Sequence, residues 1–134
     1  MAVEEAKVQE LLARLKDAMQ YGHPQFYERL VAMAEIHSRK NHDYAGDKDP
    51  LSNLRSSERL GLPPWLGVMV RLQDKWSRLE NFVKQGTLKV KDESVIDTAL
   101  DNSVYSILFT ILFEESQRRT KEADAATGSD DAQE

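Results

Sequence analysis

Three observations predict an all-α fold, a compact bundle of four main helices. Apolar residues recur at helical spacing through most of the chain, no useful stretch alternates as a strand would, and 134 residues suffice for one core. Apolar residues make up 40% and charged residues 31%. That is the usage of a packed globular chain, so the periodic stretches read as core-facing helices.

The first helix is expected over 3–20, where Val8, Leu11, Leu12, Leu15 and Met19 share a face. "YGHP" breaks it, with Gly22 as a stop and Pro24 as a restart. The second helix covers 24–40, with Phe26, Leu30, Val31, Ala34 and His37 at helical spacing. "NHDYAGDKDPLSNLRSSERLGLPP" follows, rich in turn formers, with room for a short helix over 52–60. Connections this long are uncommon in small domains and often functional. The third helix starts at Pro64, which suits a first turn, and stops at Gly86, which suits a C-terminal cap. Its stripe is Leu66, Met69, Leu72, Trp76, Leu79 and Val83. The fourth helix begins at Asp92 or Glu93 and ends near Lys121. The remaining "EADAATGSDDAQE" holds no large apolar side chain. The expectation is a single helical domain over 1–121 and a disordered acidic tail over 122–134. Its core would join Leu30, Leu72, Trp76, Leu79, Leu100, Val104 and Leu108.

Charge and composition exclude several classes. A formal net charge of −5 argues against a protein that grips duplex nucleic acid through its phosphates. With no cysteine there is no disulfide, thiolate metal site or cysteine nucleophile. "MAVEEAKVQELL" is acidic and amphipathic, unlike a secretory signal, and the longest apolar run, 104–113, is too short to span a bilayer. The cytoplasm is the expected compartment, with no membrane partner. No phosphate-cradling glycine loop or serine–histidine–aspartate order occurs, and "GDKDP" lacks the full pattern of a calcium loop.

The chemistry concentrates in two stripes and a loop. In "DESVIDTALDNSVY", Glu93, Asp97, Asp101 and Tyr105 stand at steps of four, in line with Val104, Leu108 and Leu112 on the apolar face. Carboxylates on a buried face must be paired, protonated or metal-bound. Two of them at i, i+4 can share a hard cation such as Mg²⁺, whereas an acid at a helix N-terminus can simply complement the dipole. In "RLQDKWSRLENF", Arg71, Lys75 and Arg78 share a face bordering the apolar stripe. The short link "QGTLKVKD" favours antiparallel neighbours, so the two stripes can meet. Either Lys75 and Arg78 neutralise Asp97 and Asp101, or the acids hold a metal while the cations bind phosphate. In the loop, Asn41, Asp43, Tyr44 and Asn53 offer amide, carboxylate and phenol groups, suited to turn hydrogen bonds or to sugar and base recognition.

"KNHDY", "DPLSN", "DKWSRL" and "DESVIDTALDNSVY" together resemble the nucleotide modification associated domain, type 1, of bacteriophages and bacteria, over roughly residues 30–113. More distantly, the chain is similar to MazG-like all-α nucleoside triphosphate pyrophosphatases, whose Glu-Glu-x-x-Glu and Glu-x-x-Asp helices hold Mg²⁺. Asp97 and Asp101 loosely match the second motif. Where the first would stand the chain has Asp74, Lys75 and Arg78, and those cations would repel a metal. The resemblance implies hydrolysis of a (deoxy)nucleoside triphosphate to monophosphate and pyrophosphate. Asp97 and Asp101 would hold Mg²⁺, Glu80 and Glu93 would serve as ligand or base, and Lys75 and Arg78 would contact phosphate. Asn41, Asp43, Tyr44 and Asn53 would read sugar or base. It also implies a homodimer. The departure on the third helix leaves open a non-catalytic nucleotide-binding accessory module and a helical interaction protein. If the acids crowd together to receive a metal, Asp101→Asn relieves repulsion and stability holds or rises.

Overall fold

The computed structural model describes residues 2–44, 49–86 and 94–131, and it is all-α, with no strand among them. The main helices are α1 (Glu5–Ala18), α2 (Pro24–Tyr44), α3 (Pro64–Gln85) and α4 (Val95–Asp131), with 3-10 turns at Ser52–Leu54 and Ser56–Leu60. The contacts divide the chain into two units, Met1–Asn53 and Leu54–Glu134, where the sequence suggested one domain over 1–121. The reason shows in α1. Its stripe is amphipathic, yet the helix buries no residue, and Leu11 and Leu12 are 44% and 54% exposed.

In the first unit, the break between α1 and α2 is made where the sequence places it. Gly22 has φ 117, a conformation that side chains rarely adopt. Tyr27, one turn into α2, donates its hydroxyl hydrogen bond to the Tyr21 carbonyl and so holds the turn. Helix α2 runs to Tyr44, one turn past the expected end.

The second unit is an antiparallel pair. Pro64 opens α3 at its first turn, and Gly86, at φ 75, closes it with an amide bonded to the Phe82 carbonyl. Lys75 meets Asp101, Arg71 meets Tyr105, and Trp65 packs edge-on against Phe109 and Phe113. That register brings Val68 level with Leu108, Leu72 with Val104, and Pro64 with Leu112. The buried apolar side chains are Leu54, Val68, Val104, Leu108 and Leu112, beside Pro64 and the wholly buried Thr98. Of the expected core, Val104 and Leu108 are buried, while Leu30, Leu72, Leu79 and Leu100 are half-buried. Trp76 is 54% exposed. It lies about 100° round α3 from Lys75, which points at α4, so the helix it was expected to pack on cannot reach it.

Helix α4 does not stop at Lys121 but continues to Asp131. Ala123, Ala125 and Ala126 are strong helix formers, and Thr127 donates to the Ala123 carbonyl at 2.8 Å. The side chains over 121–128 are exposed. The segment expected to be disordered is therefore helical as far as it is described, but undocked. Truncation after residue 121 should reduce helical circular dichroism yet leave the melting temperature nearly unchanged; a fall of many degrees would mean the segment packs on something. A window within Val95–Gly128 reaches a mean hydropathy of 1.3, long and apolar enough to cross a membrane, so α4 exceeds the short run read from the sequence. One face of that apolar helix is used up on α3.

Candidate functional site

The two charged stripes do meet. On α3, Arg71 and Lys75 are one turn apart; on α4, Asp101 and Tyr105 are too, and the antiparallel register sets the pairs opposite each other. Lys75 Nζ lies 2.7 Å from Asp101 Oδ2, and their side chains are only 16% and 14% exposed. Arg71 donates to the Tyr105 hydroxyl at 3.1 Å and stands 5.6 Å from its ring centre. Arg78 is half-buried in the next turn of α3. The Lys75–Asp101 pair thus balances charge between helices at close range and mostly out of water, while Arg71 is exposed.

Asp97 has a different task. Helix α4 begins at Val95, two or three residues later than expected, so Asp97 falls in the first turn rather than past it. Ser94 Oγ accepts from the Asp97 amide at 3.0 Å, and Asp97 Oδ2 accepts from the Ser94 amide at 3.3 Å. This reciprocal capping box satisfies two of the amides that a helix start leaves unpaired. "SVID" carries that signature in the sequence, a serine three residues before an acid. Ser94→Ala should cost about 1 kcal/mol in chemical denaturation, a typical loss for an N-cap. No measurable change would show that another group caps the helix.

Asp97 and Asp101 thus meet different partners, a backbone cap and a largely buried ammonium. Among the described residues, no group of three or more His, Asp or Glu side chains is placed to hold a metal ion. Glu80 is exposed and about 140° round α3 from Lys75, so it does not join the layer as ligand or base. Glu93 lies outside the described residues.

The loop residues also separate. Asn41 Nδ2 donates to the Pro50 carbonyl and so ties the end of α2 to the returning loop. Asp49 supports the same return, accepting from the Leu51 amide at 3.0 Å. Asp43 and Tyr44 belong to α2, but their side chains lie outside the description. Asn53 is exposed in the first 3-10 turn.

Two features were not anticipated. Arg55 makes a two-pronged contact with Glu115, at 2.9 and 3.2 Å, and Arg119 reaches both Glu115 and Glu58, at 3.3 and 3.7 Å. This network pins the second 3-10 turn to α4. The i, i+4 pair Glu115–Arg119 was visible in the sequence; its partners across 60 residues were not. The other feature is an open, exposed face of α2 made by Val31, Ala34, Glu35, Ser38, Arg39 and His42. No known protein family, curated protein or solved structure matches the chain.

Proposed function

We propose that the chain is a nucleotide-binding accessory protein of nucleotide metabolism or modification that does not hydrolyse its ligand. The observation that carries the second half is the buried Lys75–Asp101 pair. Phosphoryl chemistry would need Lys75 on phosphate and Asp101 on a metal; here each neutralises the other, and Asp97 is occupied as a cap. Nucleotide binding is supported by the resemblance of four motifs in order and by the exposed α2 face. Val31 and Ala34 offer an apolar floor for a base, and Ser38, Arg39 and His42 offer polar groups for sugar or phosphate.

A second reading, a helical assembly protein without a ligand, is favoured by the apolar surface left on α3, where Trp76 and Val83 are 54% and 82% exposed. Thermal shifts with nucleoside mono- and triphosphates, with and without Mg²⁺, separate the readings. The expected result is a rise in melting temperature that needs no Mg²⁺, weakens in Arg39→Ala and releases no pyrophosphate. Mg²⁺-dependent pyrophosphate release would restore the hydrolase, and no shift with any nucleotide would favour assembly.

A further inference from the structure

We propose that the second 3-10 turn, with Arg55 ahead of it, is a strap that an ionic latch holds on α4 and that opens by itself while α3 and α4 stay paired. The inference lies wholly within the second unit and is independent of any nucleotide.

Burial is the first argument. Leu54 and Pro64 are buried, and none of the residues between them is. Leu60 and Leu62, the large apolar side chains of this stretch, are 80% and 43% exposed. The turn therefore draws little from apolar burial, and elements held so lightly open before the core does.

Polar contacts fasten it instead. Arg55 bonds Glu115 with side chains only 20% and 25% exposed, which shields the contact in part from salt. Glu58 lies 3.9 Å from Arg55 and 3.7 Å from Arg119, beyond hydrogen-bonding distance, so those pairs add little. Towards α3, the Ser57 hydroxyl donates to the Pro63 carbonyl at 3.2 Å. The turn lies directly on the bare backbone at Gly67, where a β-carbon would stand 3.4 Å from Ser57 Oγ. The Arg55–Glu115 contact is the strongest of these fastenings, because both its groups are charged and its geometry is two-pronged.

The hinge is Gly61. It ends the turn at φ 73, and a glycine there changes conformation at little cost. Pro63 and Pro64 beyond it keep the start of α3 fixed. A 3-10 turn of five residues has no stability of its own once detached. Release therefore frees the Glu58, Gly61 and Leu62 amides, which are bonded to the Arg55, Glu58 and Ser57 carbonyls. The stretch also shares a cleft with α4, bordered by Leu62, Pro63 and Ser116, with Leu112 beneath at 1% exposure. Opening the strap widens that cleft and bares apolar surface at one end of the helix pair.

Amide hydrogen exchange on the full chain, read residue by residue by NMR, tests this. The Glu58, Gly61 and Leu62 amides should exchange faster than those of Val68 and Leu108. Their rates should depend little on dilute urea, because local opening exposes little surface. Arg55→Gln and Glu115→Gln should each speed those three amides at least about tenfold, as loss of a charged hydrogen bond implies, and leave Val68 and Leu108 unchanged. Strap amides that exchange as slowly as Val68 and Leu108, and as steeply with urea, would overturn the proposal, since the turn would then open only with the whole unit. So would variants that speed all five amides alike, or none of them. The wild-type rates decide the matter even where a variant fails to fold.

Discussion

Asp101→Asn is expected to destabilise the α3–α4 pair by about 3 kcal/mol, the lower part of the range for breaking a buried ion pair. The carboxylate it removes lies 2.7 Å from Lys75 Nζ, with both side chains largely out of water. The asparagine would leave the ammonium facing a neutral amide, and the cation would lose the carboxylate that offsets its desolvation at 2.7 Å. Urea denaturation of wild type and variant checks it. Replacing both partners, as Lys75→Met with Asp101→Leu, should recover most of the loss, because no charge is then buried. A metal site would give the reverse signature, with the single variant as stable as wild type or more so. The Lys75 contact is why the expected sign changes from the one the sequence suggested.

Leu112→Ala is expected to cost about 3 kcal/mol, within the usual range for a buried leucine. Leu112 is 1% exposed and level with Pro64, where α3 begins. Deleting its side chain opens a void between a helix and a proline-fixed chain start that has little freedom to collapse. The neighbouring Ile111 is 45% exposed, and Ile111→Ala should cost under about 1 kcal/mol, as befits a surface position. Chemical denaturation of the two variants side by side tests which face of α4 is covered. Equal losses would mean that the isoleucine face is packed too.

The starts and stops of the helices were legible in local chemistry. Pro24 and Pro64 open α2 and α3, Gly86 caps α3 and Gly22 makes the turn between α1 and α2, and each acts through its own backbone freedom or the hydrogen bond it lacks. The meeting of the acidic and basic stripes was legible as well, because a short link between two periodic helices leaves few arrangements. The capping box at Ser94 and Asp97 was present in the letters, but a start at residue 92 or 93 placed Asp97 past the first turn and hid its role.

Tertiary structure alone decided the rest. Periodicity shows that Leu72, Trp76 and Leu79 share a stripe, but not which edge of it a neighbour covers. The α3–α4 register sets Val68 and Lys75 towards α4 and leaves Trp76 in water. Spacing allowed Asp101 to face a metal or a lysine, because a carboxylate suits both; only the tertiary structure shows Lys75 approaching it to 2.7 Å. Alternating helical contacts are local and can be read along the chain. Which charge meets which, across the 26 positions separating Lys75 from Asp101 or the 60 separating Arg55 from Glu115, depends on how whole helices rotate and slide, and packing sets that.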